Sequence, residues 1–318
     1  MNKPSQKNIW LSDTYENYAE ETYVTMSDGV KLRVLHTKPN TGQYLPPLVL
    51  VPGLGSIVPG WDRVLLPLKD KIPIYYIETR EKKSSKFPKK KKFEPIRFGY
   101  DLKEVLDYFN IKDKEYVIMG SSLGANTIIY ALANHYIDPL VAIIIGPNPT
   151  FPIPTPLKVI LPLIPIQTVD LLRPLIKWYV KIFEVDMKTE PEQGWKYERV
   201  VDEMEGWKIK YVACGFKDMY LYPMLHKIKA PSILIGAIAD KMHKAENTKK
   251  FAELIPNAVY VELFTNKAAH SEPMVHFITG LYKHIDDPLG FAKQYSLPEK
   301  IIAPYIPAKY RKKQKNLV

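Results

Sequence analysis

The pentapeptide Gly120-Ser121-Ser122-Leu123-Gly124 sits between an apolar run at 116–119 and a helical pattern at 125–135. A nucleophile on a sharp strand–turn–helix needs small residues two positions before and two after it. The backbone there is strained, and the helix packs closely on the strand. Ser122 meets that condition with Gly120 and Gly124, whereas Ser121 would have Met119 and Leu123, which are too large. Ser122 is therefore the candidate nucleophile. A hydroxyl is weakly nucleophilic near its free pKa, so it needs a base that is itself held by an acid. After such an elbow the acid and then the base are expected in chain order. Asp240 lies just past the apolar run at 233–238, and His270 lies six residues beyond the next strand pattern, at 259–264. Catalytic groups of open α/β sheets gather at the carboxyl ends of strands. Ser122, Asp240 and His270 are thus expected on loops at one sheet edge, as nucleophile, acid and base. His243 follows Asp240 too closely to occupy a strand end of its own, and His276 falls within the last helical pattern. Asp218 and Glu78 are fallback acids.

Charge that develops on an attacked carbonyl needs donors aimed at it. The backbone N–H of Leu123, just after the nucleophile, is one. The N–H of Leu54, in the loop Pro52-Gly53-Leu54-Gly55-Ser56, is the second, because Pro52 has no N–H to give. Gly53, Trp61 and Trp178 are the candidate substrate-binding residues.

The elements that must hold these groups read as a doubly wound, mostly parallel sheet. Residues 21–26 and 30–36 flank Ser27-Asp28-Gly29, a hairpin signal. Apolar runs at 47–51, 74–77, 116–119, 141–145, 232–239 and 259–264 read as buried strands, most of them followed by helical spacing. The alternation breaks between 147 and 230, where the chain is proline-dotted and rich in Leu, Ile, Trp and Tyr. The expected organisation is one α/β domain (1–146 and 231–290), an inserted, largely helical segment (147–230) and a basic C-terminal tail (291–318). In the insertion, Val169, Leu172, Ile176, Val180 and Phe183 suit one helical face, which Pro174 interrupts or confines to a first turn.

Composition narrows the classes. The chain has 318 residues, 46% hydrophobic and 25% charged, which excludes a disordered polymer. A single cysteine, Cys214, excludes an intrachain disulfide and a zinc–thiolate cluster. The net charge is +11, but it sits in two places. The segment 81–97 holds eight Lys and Arg against two Glu, and 308–318 holds five against none. No RNA-stacking or helix-turn-helix pattern accompanies the lysines at 82–92, so no nucleic-acid partner is expected and a solvated loop is the simpler reading. Residues 1–20 lack a secretion-type apolar run. The uncharged stretch 139–157 contains six prolines, which does not suit a spanning helix. A cytoplasmic location is expected.

These features resemble the α/β-hydrolase superfamily from about residue 23 to 284, the insertion apart. The resemblance rests on Val51-Pro52-Gly53-Leu54-Gly55, the elbow at 120–124, Asp240 and His270. In that family the first motif usually begins His-Gly, and here Pro52 replaces the histidine. The segment 77–85 looks like the family's Arg-Gly-x-Gly-x-Ser loop without its glycines. The resemblance implies hydrolysis of esters, thioesters or amides through an acyl-serine, with the insertion as a lid over the site. A serine esterase or lipase-like enzyme for apolar acyl groups is the expectation, with no cofactor and no metal. The alternatives are an acyltransferase using the same triad and a non-catalytic binding protein on the same fold. A weak membrane-surface contact through the lid or the basic loop is left open, as is the oligomeric state.

Overall fold

In the structure, a computed structural model, eight strands form one sheet. They are β1 (Glu20–Thr25), β2 (Lys31–Thr37), β3 (Leu48–Val51), β4 (Ile74–Ile77), β5 (Val117–Ser121), β6 (Val141–Ile145), β7 (Ser232–Gly236) and β8 (Ala258–Glu262). Residues 13–39, 42, 44–88, 93–151, 153, 155–184, 187 and 191–307 are described. The order across the sheet is β1-β2-β4-β3-β5-β6-β7-β8. The β1–β2 hairpin and the β2–β4 pair are antiparallel, and every other pair is parallel. The hairpin turns at Gly29, whose φ of +84° suits a residue without Cβ.

Both faces of the strands β3 to β7 are buried, which explains why they read as continuous apolar runs. Val49, Val51, Ile118 and Ile144 point to one core, while Leu48, Leu50, Met119 and Ile143 point to the other. Helices α1 (Asp62–Leu68), α2 (Pro95–Tyr108) and α3 (Leu123–Ala133) precede β6. The inserted segment then carries α4 (Thr155–Ile160), α5 (Ile166–Leu171), α6 (Arg173–Tyr179), α7 (Pro191–Glu203) and α8 (Gly206–Phe216). Pro174 falls in the first turn of α6, where its missing N–H costs nothing. After β7 come α9 (Ala245–Leu254), α10 (Glu272–Lys283), α11 (Pro288–Gln294) and α12 (Glu299–Ile302). Among the described residues no helix is long and apolar enough to cross a membrane.

Two expectations need correction. The chain from 291 does not leave the domain as a tail, because Ala292, Ile302 and Ile306 are buried in the core that α10 covers. The basic residues at 308–318, and the lysines at 89–92, lie outside the described residues. Nor is the start of the basic loop solvated. Arg80 is fully buried, with bidentate hydrogen bonds to Asp101 and a pair to Asp28, and Glu81, Lys82 and Ser85 are buried beside it. Arg80 draws its partners Asp28 and Asp101 from distant segments, while Glu81 and Lys82 neutralise each other, so local polarity misreads the loop.

One buried acid makes folding stability depend on pH. Asp62 accepts the Tyr15 N–H (2.9 Å) and the Thr14 hydroxyl (3.2 Å) on one oxygen. Its other oxygen is buried without a partner among the described residues. Burial pushes its pKa up to about 6. An acid whose folded pKa exceeds its unfolded value binds its proton more tightly when folded. Its contribution is therefore greatest below about pH 4, falls as pH rises to about 6, and is flat above that. The expected loss is about 3 kcal/mol, at about 1.4 kcal/mol per pKa unit. Urea denaturation across this range is expected to show that slope in the wild type and to lose most of it in Asp62→Asn.

Candidate active site

β5 ends at Ser121 and α3 begins at Leu123, so Ser122 alone makes the turn. Its φ is +53°, a left-handed conformation that a serine adopts only under constraint. The flanking glycines supply that constraint. A Cβ on Gly124 would lie 2.0 Å from the Val51 carbonyl oxygen, and one on Gly120 would lie 2.6 Å from Ile128. The elbow therefore holds Ser122 above the carboxyl end of the sheet, where the first N–H groups of α3 have no intrahelical acceptor.

The base position differs from the one expected. His243 Nε2 lies 2.9 Å from Ser122 Oγ, and His243 Nδ1 lies 3.0 Å from Asp240 Oδ2. Asp240 stands at the end of β7 as expected, but the imidazole between acid and serine is His243 rather than His270. The loop geometry gives the reason. Asp240 Oδ1 accepts the N–H groups of Met242 (3.0 Å) and His243 (3.2 Å), closing a tight turn. That turn folds His243 back over the carboxylate three residues before it, so no strand end of its own is needed. Gly146, at the end of β6, leaves room for the ring, since a Cβ there would lie 2.9 Å from the His243 Cβ.

Asp240 is buried, and burial alone would raise its pKa. The facing His243 and hydrogen bonds from His243 and Asn266 outweigh that and hold the carboxyl below the usual range. An ionised carboxylate only accepts hydrogen bonds, so the His243 proton belongs on Nδ1. Nε2 is then the lone pair that faces the Ser122 hydroxyl.

His270 sits on the same floor in another role. Its Nδ1–H donates to the Asn266 carbonyl at 2.8 Å, and its ring packs on Trp61 at 4.4 Å between centroids. Asn266 in turn donates to Asp240 at 2.9 Å, so His270 buttresses the loop that holds the acid. The Asp-x-x-His spacing after β7 was the available signal for His243.

A cavity of about 540 Å³ opens above Ser122. Gly53, Leu54, Trp61, Leu123, His243 and His270 line its floor. Residues of the inserted segment roof it, among them Ile164, Leu172, Ile176, Trp178, Val200 and Ile209. The three candidate substrate-binding residues thus all face it. Leu54 follows β3 and Leu123 opens α3, so both candidate donors flank Ser122. Among the described residues no group of three or more His, Cys, Asp and Glu side chains converges as a metal site requires.

The strand order, the serine elbow after β5 and the acid after β7 are those of the α/β-hydrolase fold. Neither a family model nor a curated protein matches the chain. Solved structures do. An enol-lactonase from Burkholderia xenovorans LB400 is 18% identical, with a TM-score of 0.65 over 85% of this chain and 100% of its own. A thermophilic esterase from Thermogutta terrifontis is 14% identical, with a TM-score of 0.68 over 84% and 99%. An esterase from Exiguobacterium antarcticum is 17% identical, with a TM-score of 0.67 over 84% and 100%. At such identities the likeness is one of fold.

Proposed function

We propose that this chain is a serine hydrolase that cleaves carboxylic esters or thioesters with an apolar acyl group. The observation that carries the reading is the unbroken hydrogen-bond chain Ser122–His243–Asp240 beneath a cavity walled largely by apolar side chains. In this reading Ser122 Oγ attacks the acyl carbon while His243 Nε2 takes its proton. Asp240 holds the ring and stabilises the imidazolium that forms. The oxygen that gains charge lies against the N–H groups of Leu54 and Leu123. His243 then protonates the leaving alkoxide or thiolate, and the acyl-Ser122 ester remains. A water that gives its proton to His243 hydrolyses that ester and frees the carboxylic acid. The inserted segment acts as the lid, placing its apolar side chains around the acyl chain and keeping bulk water off the intermediate.

A fluorophosphonate probe is expected to label the wild type at Ser122 and to leave Ser122→Ala unlabelled. A panel of p-nitrophenyl esters tests the substrate class. Each buried methylene contributes about 0.8 kcal/mol, so kcat/KM is expected to rise by up to about fourfold per added carbon until the cavity is full. Labelling that persists in Ser122→Ala, or a preference for acetate over every longer ester, would overturn the reading.

A further inference from the structure

The lysine that follows the buried Glu81 reaches Gly53 on the cavity floor without lining the cavity itself. Lys82 is 4% exposed, and its Nζ donates to the carbonyl oxygen of Gly53. The same ammonium pairs with Glu81 Oε1 at 2.6 Å. Gly53 lies against the nucleophile, since a Cβ on it would be 3.3 Å from the Ser122 Cβ. Its carbonyl belongs to the peptide whose N–H is that of Leu54. In a planar trans peptide the C=O and N–H point in opposite directions. A cation that holds the Gly53 oxygen from outside the cavity lining therefore leaves the Leu54 N–H directed to the opposite side, that of the cavity Leu54 lines. Among the described residues this N–H meets no backbone acceptor, whereas the Gly53 carbonyl also accepts the Ser56 N–H at 3.1 Å.

The lysine is itself fixed from the lid side. Lys208 on α8 donates to the carbonyl oxygens of Lys82 (2.5 Å) and Ser85 (3.1 Å) and to the Ser85 hydroxyl (2.9 Å). It also pairs with Glu205 at 2.8 Å. Burying an ammonium against a carbonyl is costly without a compensating charge, and Glu81 supplies one. Neutral packing could have filled this space more simply. A cation polarises the Gly53–Leu54 peptide as well as orienting it, which strengthens its N–H as a donor.

We infer that Lys82 is a positioning residue of the reaction: it sets the Gly53–Leu54 peptide as an oxyanion donor. The inference rests on the hydrolase reading above. Two variants test it: Lys82→Met, and the charge-neutral pair Glu81→Gln with Lys82→Met, which avoids leaving a buried carboxylate alone. In p-nitrophenyl ester hydrolysis, kcat is expected to fall by about 10- to 100-fold, part of the effect of removing an oxyanion donor outright, while KM changes less than about threefold. Affinity for a trifluoromethyl ketone with an apolar chain, which forms a serine-bound oxyanion, is expected to fall by the same factor as kcat/KM. Wild-type kcat and ketone affinity in either folded variant overturn the inference, as does a loss confined to KM. A wild type that neither turns over esters nor takes the fluorophosphonate would instead overturn the hydrolase reading beneath it.

Discussion

Replacing His243 with alanine is expected to lower kcat by about 10⁴- to 10⁶-fold, as far as Ser122→Ala, whereas His270→Ala should cost about tenfold or less. Residues of a triad act as a unit, so removing the base alone removes nearly all that the unit contributes. The two histidines share one floor, and only His243 bridges Ser122 and Asp240. His270 acts through the Asn266 carbonyl and the Trp61 ring, contacts that hold the loop rather than the reacting atoms. Its loss should therefore appear mainly as a modest change in KM and thermal stability. Asp240→Asn should fall between these limits. An amide accepts the same turn hydrogen bonds but does not favour the proton on Nδ1 or stabilise the imidazolium. The measurement is steady-state hydrolysis of one p-nitrophenyl ester by all four variants, with fluorophosphonate labelling rates beside it. An inactive His270→Ala next to an active His243→Ala would falsify the assignment and return the base to the loop after β8.

The histidine exchange shows where reading the chain reaches its limit. Strands buried on both faces leave long apolar runs, so β3, β5, β6 and β7 are legible without any partner information. Gly120 and Gly124 are legible because the steric demand of an elbow falls at fixed offsets from the nucleophile. Asp240 is legible because β7 delivers it to the sheet edge. The base is different. The strand-end rule says which edge a histidine must reach, and both His243 and His270 reach it. Which ring meets Ser122 depends on a turn that closes on Asp240 Oδ1, and on the space left by Gly146, a residue on another strand end. Strand-end counting holds no trace of either. The buried charges fail for a related reason. Arg80, Glu81 and Lys82 look like a solvated run because the acids that hold Arg80, Asp28 and Asp101, and the Gly53 carbonyl that Lys82 reaches lie far away in the chain, the Glu81–Lys82 pair alone being local. Pairing removes those residues from water, and pairing is a tertiary event. Likewise Ile302 and Ile306 lie in a short proline-punctuated stretch with no sustained strand or helix pattern, and only the docked surface beneath α10 shows that they end in the core.

Gly124→Ala is expected to cost at least about 3 kcal/mol and to lower kcat by about 100-fold in any folded fraction. The added Cβ would sit 2.0 Å from the Val51 carbonyl oxygen and 2.7 Å from that of Pro52. Those atoms are backbone, so no rotamer change relieves the clash, and α3 must move away from β3. Overpacking a well-packed core ordinarily costs about 1–3 kcal/mol, and that range includes sites where side chains give way. Here the movement also has a direction. Val51 and Pro52 lead into the Gly53–Leu54 peptide, and α3 carries Leu123 and follows directly on Ser122. Pushing them apart separates the two proposed oxyanion donors and lifts Ser122 relative to the peptide that Lys82 holds. A displacement of about 1 Å is enough to cost about 100-fold in rate. Denaturant unfolding of Gly124→Ala beside Gly280→Ala separates the two effects. At Gly280, on α10, a Cβ would lie 2.6 Å from the Phe291 ring, a clash outside both the nucleophile elbow and the cavity lining. Both variants should lose stability, but at matched folded fraction only Gly124→Ala should lose kcat as well. Equal losses of kcat in the two would mean that strain anywhere in the core, rather than the spacing of β3 and α3, controls the site.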